Sequence, residues 1–164
     1  VLNLTLSLAS LVETQALAAF FGDHVKRGDI LTLSGPLGAG KSAFARAFIQ
    51  HLTSPHEEVP SPTFTLVQTY ETPTFEIWHF DLYRLEHPEE LWELGFEEAP
   101  HVGVCLIEWP ERIEALRVLS GALQITLAQA DAENARIIRL QGPSSWDALL
   151  REIHSRYGGT LESL

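Results

Sequence analysis

Gly35-Pro36-Leu37-Gly38-Ala39-Gly40-Lys41-Ser42 reads Gly-x-x-x-x-Gly-Lys-Ser, the spacing of a phosphate-binding P-loop. Glycines are needed because backbone N–H groups must turn inward and close on an anion, and side chains would block that approach. In such a loop Lys41 reaches the β- and γ-phosphates, and the Ser42 hydroxyl can ligand magnesium. The loop needs a strand before it and a helix after it, because a helix N-terminus helps hold the anion. Asp29–Ser34 is a short apolar run that ends at the loop. Lys41–Gln50 is rich in helix formers, with Phe44, Phe48 and Ile49 at helical spacing.

Outward from the loop, strand and helix patterns alternate. Leu2, Leu4, Leu6 and Leu8 alternate with Asn3, Thr5 and Ser7, which predicts a half-buried strand. Ser10-Leu-Val-Glu13 has capping-box spacing and predicts a helix to about Lys26, ending near Gly28. Thr53–Pro62 is a proline-punctuated connection. Phe64–Tyr70 and Thr74–Phe80 read as two strands of a hairpin, joined through Glu71-Thr-Pro73. Pro88–Leu94 reads as a short helix closed by Gly95. Val102–Ile107 is continuously apolar, as a central strand covered on both faces should be. Ala122–Leu127 and Ala135–Leu140 add strands, Ser144–His154 a closing helix, and the tail at about 158–164 is expected to fray. The expected architecture is α/β: one P-loop NTPase-like domain over residues 1–164, a three-layer sandwich with a mixed central sheet.

Composition narrows the function. The 164 residues carry 22 acidic and 11 basic side chains, a net charge of −11. That balance argues against a broad nucleic-acid footprint, which needs a basic face. A single cysteine excludes an internal disulfide and suggests a reducing compartment, so a cytoplasmic location is expected. The leucine-rich start lacks the basic region of a signal peptide. No run approaches ~20 apolar residues, so no membrane span is expected. The seven histidines are scattered, with no zinc-type spacing.

Phosphoryl chemistry also needs magnesium and an acid to hold it, and that acid normally follows an apolar strand. Two positions fit. Val104-Cys-Leu-Ile-Glu108 ends four apolar residues with a carboxylate, and Trp78-His-Phe-Asp81 is the second. Thr63 follows the P-loop helix and its connection, where a threonine can sense the γ-phosphate or magnesium. His79 shares a strand face with Asp81 and reads first as a packing or hydrogen-bonding histidine. Cys105, inside the apolar run, reads as a buried inert thiol.

Together the motifs at 35–42, Ser-Pro-Thr-Phe-Thr-Leu-Val at 61–67, His-Phe-Asp-Leu-Tyr-Arg-Leu at 79–85, Glu-Glu-Leu…Leu-Gly-Phe at 89–96 and Glu-Trp-Pro-Glu at 108–111 carry a family likeness. The chain resembles the TsaE (YjeE) family, small bacterial P-loop ATPases required for threonylcarbamoyladenosine formation in tRNA. The resemblance implies that Leu37, Gly38, Ala39, Gly40, Lys41 and Ser42 bind ATP phosphates, and that Ser42 and Glu108 bind magnesium. It implies that Lys41, Asp81, Glu108 and Thr63 support hydrolysis or γ-phosphate sensing, with Trp109 in the same cluster. Base contacts are sought near Leu11–Thr14 and Glu133–Arg136, which puts Thr14 and Arg136 among the nucleotide-binding residues. Implied cofactors are ATP and magnesium, and implied partners are TsaD and TsaB, which handle the tRNA. Such a protein is a slow ATPase alone and is not the transferase. A small-molecule kinase and a non-catalytic nucleotide-dependent binding module are the alternatives. A kinase would need an acceptor pocket and usually an arginine-bearing lid.

Overall fold

The computed structural model describes residues 1–164. Its strands form one eight-stranded mixed sheet: β1 (Leu2–Leu8), β2 (Ile30–Ser34), β3 (Val67–Glu71), β4 (Glu76–Asp81), β5 (Gly103–Glu108), β6 (Leu123–Gln129), β7 (Arg136–Gly142) and β8 (Thr160–Ser163). Their spatial order is β3-β4-β5-β2-β6-β7-β1-β8. β2 lies parallel between β5 and β6, and β5 is parallel to β4. The other pairs are antiparallel. The strand that feeds the P-loop is therefore central, and its C-terminal end meets those of β5 and β6.

Three helices cover one face: α1 (Leu11–His24), α2 (Lys41–Leu52) and α5 (Asp147–Tyr157). Ser10 caps α1, its side chain accepting from the N–H of Glu13 at 3.3 Å. The Glu13 carboxylate reaches back to the N–H of Ala9, one residue before the cap. The alternating leucines of β1, with Phe21, Phe44 and Phe48 from α1 and α2, join a single core with Leu31, Leu33, Leu106, Ile125 and Ile138. Burying each such side chain contributes about 2 kcal/mol.

The opposite face is layered over only part of the sheet. There α3 (Glu90–Glu93), α4 (Ala99–Val102) and the 3-10 segment Pro110–Leu116 cover β4 and β5. Phe80, Cys105, Ile107, Leu91, Phe96 and Ile113 make a second, smaller core. Beyond β2 the same face carries Gln124, Thr126, Arg139 and Ser7, all exposed. The sandwich is thus three-layered around the P-loop strand and two-layered toward β8.

Three local differences from the sequence expectations have physical causes. The first hairpin strand begins at Val67 rather than Phe64, because the Leu66 N–H closes a turn on the Pro62 carbonyl at 2.6 Å. Leu66 takes a left-handed φ of 68° and Phe64 is left exposed. The tail expected to fray is instead edge strand β8: Leu2 to Thr5 of β1 offer an unpaired ladder, and Thr160–Ser163 fill it. Gly159, at φ 87°, makes that entry possible, since a Cβ there would lie 2.3 Å from the Thr5 carbonyl. The 3-10 segment after Trp109 had no periodicity to announce it. No helix is long and apolar enough to cross a membrane.

Candidate functional site

The P-loop begins at Gly35, where β2 ends, and finishes at Gly40, which has φ 106° and leads into α2. Gly40 offers no side-chain cap. The first N–H groups of α2 therefore face the loop without an intrahelical partner, as at every helix start. Two side chains from across the sheet hold the loop's carbonyls. Arg136 Nε donates to Ala39 O at 2.7 Å, and Gln129 Nε2 donates to Gly38 O at 3.0 Å.

A cleft of about 330 Å³ opens over the loop. Its lining joins Leu37, Gly38, Gly40, Lys41 and Ser42 to Ser61, Thr63, Asp81, Glu108 and Trp109. Sheet register explains the meeting of the acids: β4 and β5 run parallel with Asp81 opposite Glu108. Both carboxylates emerge at the strand ends that flank β2. Both are almost fully buried, as is Lys41.

Each acid is held differently. Asp81 accepts from Thr63 Oγ1 at 3.0 Å and from the Tyr83 N–H at 3.1 Å. Thr63 in turn lies 2.6 Å from the Ser61 hydroxyl. Glu108 Oε2 meets His79 Nε2 at 2.6 Å. Lys41 Nζ donates to the Gly35 carbonyl and sits 3.5 Å from the centre of the Trp109 ring. Burial pushes the Lys41 ammonium below its ordinary value of 10.5, while Glu108, Glu111 and Asp81 pull the other way. Trp109 has φ 60° and ψ 52°, a left-handed conformation that costs a bulky residue about 1–2 kcal/mol. Its ring packs against Tyr83, with centroids 4.9 Å apart.

The remaining expected residues sit close by with other occupations. Ala39 is buried in the core and contributes its backbone to the loop. Thr14 and Arg136 do come together, in a narrow cavity of about 20 Å³ with Leu11, Gly40, Ala43 and Asn134. Thr14 is buried and its hydroxyl donates back to Ser10 O at 3.4 Å. Arg136 is engaged with the carbonyls of Ala39 and Ala135. Here it acts as a brace of the loop. Ser61, Gln129 and Tyr83 carry no sequence signal for these roles: Gln129 acts across 91 residues, and Ser61 and Tyr83 matter only because Thr63 and Asp81 meet. His79 is a hydrogen-bonding histidine, one of the two roles its sequence position suggests, and its partner, Glu108, is set by strand register.

The donor set suits a nucleotide and a hard cation. Hydroxyl and carboxylate oxygens at Ser42, Asp81 and Glu108 are the ligand type magnesium takes, directly or through water. Lys41 and the start of α2 supply the positive end for phosphate. A separate cavity of about 280 Å³, against the 3-10 segment and lined by Thr32, Glu111, Glu114 and Arg117, includes none of the loop glycines.

Comparison with known proteins bears on family and fold. The family model described as "Threonylcarbamoyl adenosine biosynthesis protein TsaE" matches residues 8–138. The chain is 44% identical over 138 residues to the tRNA threonylcarbamoyladenosine biosynthesis protein TsaE of Rickettsia felis, covering 84% of this chain and 80% of that one. It is 36% identical over 142 residues to the Bacillus subtilis protein of the same name, covering 86% and 87%. A crystal structure of Bacillus subtilis YdiB superposes with a TM-score of 0.72 at 30% identity, covering 94% of this chain and 95% of that one.

Proposed function

The chain belongs to the TsaE family, and with it to the biosynthesis of threonylcarbamoyladenosine in tRNA; from that premise we propose that it is a magnesium-dependent ATPase that drives the modification as an accessory of TsaD and TsaB. The observation that carries this reading is the convergence, in one cleft, of a glycine loop with Lys41 and Ser42 and of two buried strand-end acids, Asp81 and Glu108.

In this reading the loop amides and Lys41 bind the phosphates, and Ser42 and Glu108 hold magnesium. The metal, when bound with nucleotide, would neutralise charge on the phosphate oxygens. Asp81 is kept in one orientation by Thr63 and the Tyr83 N–H. A carboxylate so fixed can accept a proton from, or orient, an attacking water without first reorganising. Thr63 couples that acid to the 61–65 turn, which gives the turn a means of sensing the phosphate beyond it. Trp109 packs over Lys41 and narrows the mouth. The net charge of −11 suits a protein that leaves tRNA contact to its partners.

A reconstituted modification reaction with TsaB, TsaC, TsaD, tRNA and this protein tests the proposal. Repeated turnover should require this protein and ATP, and the Lys41→Ala variant should not replace it. Undiminished turnover when the protein is left out would refute the accessory role.

A further inference from the structure

We propose that His79 is a positioning residue for Glu108: its Nε2–H pins one carboxylate oxygen so that the other faces the metal of bound nucleotide. The proposal rests on the reading that Glu108 serves magnesium, and deepens it.

Three observations carry it. His79 and Glu108 each keep only 3% of their side-chain surface exposed, and their atoms meet at 2.6 Å. The contact bridges two parallel strands, with His79 opposite Leu106 and Glu108 opposite Asp81, so the imidazole rises from two residues below the carboxylate it meets, on the same face. His79 Nδ1 is buried with no hydrogen-bond partner. The bond to Glu108 is therefore the one polar contact the ring makes.

A histidine kept for packing alone would be a poor choice at this place. An apolar ring would fill the space without burying an unpaired nitrogen. The position makes physical sense through its donor. A carboxylate only accepts, so Nε2 carries the proton and the ring donates. With Oε2 occupied, Oε1 is the oxygen left for the cleft that Glu108 lines. Metal ligands are commonly oriented by such a partner, and losing it typically weakens metal binding about 10- to 100-fold. Asp81, two residues on along the same strand face, is oriented by hydroxyl and backbone donors instead. The two acids are thus held by separate groups, and one can be loosened while the other stays in place.

The test uses the full chain and a fluorescent ADP analogue, titrated once with Mn²⁺ and once with EDTA. The ratio of the two affinities reads the metal's contribution alone. His79→Asn, whose amide stops short of the Nε2 position, should lower that ratio about tenfold or more. His79→Phe, a second variant that keeps the ring's volume, should do the same. His79→Gln, whose amide reaches about as far as Nε2, should restore the ratio to within about threefold. Affinity in EDTA should stay within about twofold throughout. In a Glu108→Gln background, His79→Asn should change the ratio no further, because the effect passes through Glu108. A folded Asn or Phe variant with the wild-type ratio would overturn the proposal. So would equal losses with and without metal, which mark a purely structural role. A wild-type ratio of one would sink the magnesium reading of Glu108 itself, and this inference with it.

Discussion

Arg136 Nε, on β7, donates to the carbonyl of Ala39 in the P-loop at 2.7 Å, tying the phosphate loop to a strand 97 residues further along the chain. The same guanidinium bonds Ala135 O, so the side chain is fixed at two points. Arg136→Ala should free Ala39 O and loosen the loop, at a cost of about 1 kcal/mol. A titration with fluorescent ADP should show affinity weaker by roughly fivefold. Unchanged affinity would mean that Gln129, bonded to Gly38 O, braces the loop alone.

Lys41 and Asp81 share the cleft and should fail in different ways. Lys41→Ala removes a charged partner of phosphate worth about 1.5–3 kcal/mol, so ATP affinity should fall by up to about a hundredfold. Asp81→Asn keeps the size of the side chain and loses the carboxylate. It should bind ATP within about threefold of wild type and turn over about a hundredfold more slowly. Equal losses of affinity in both variants would remove Asp81 from the chemistry.

Gly35 tests the shape of the loop. It sits at φ 142°, and a Cβ there would lie 2.3 Å from the backbone carbonyl of Leu127. Backbone cannot step aside as a flexible side chain can. Gly35→Ala should therefore destabilise the protein by on the order of 3 kcal/mol and displace the loop from β6. Thermal melting checks the first effect. A variant with wild-type Tm would show that the β2–β6 contact yields more readily than the packing implies.

Cys105, in the second core and outside the cleft lining, provides a pH-dependent probe of stability. Burial among apolar groups raises its thiol from 9.0 to about 12. The folded state therefore keeps the proton where the unfolded chain has lost it. Stability from this group is intact below pH 9 and declines as pH rises from 9 toward 12. At pH 8 the native thiol should be inert to a disulfide reagent and react once denaturant unfolds the chain. Rapid reaction in the native state would contradict the buried placement.

Much of this arrangement was legible in the residues because it rests on local rules. The glycine spacing at 35–42, the alternating leucines of β1 and the apolar run before Glu108 each specify their own geometry. Asp81 and Glu108 could be chosen because an acid after an apolar strand falls at a sheet's C-terminal edge. The missed features depend on what lies opposite. His79 meets Glu108 through the register of two strands, and Arg136 meets Ala39 through strand order. Residues 160–163 become a strand because β1 offers them an edge. Thr63 lay within reach of sequence reasoning as a candidate. Its partner Asp81, 18 residues on, is fixed by the turn that Leu66 closes.

The strand order has a kinetic corollary. β1 precedes the other seven strands, yet its neighbours are β7 and β8, and β2 waits for β5 and β6 on its two sides. During synthesis the glycine loop emerges ahead of its frame, which waits for residues 103–129. The first strand is locked only after residues 136–142 arrive. Such long-range pairing makes for slow folding with a late cooperative step. A nascent chain should therefore gain its grip on nucleotide abruptly, once residues 103–142 have all emerged.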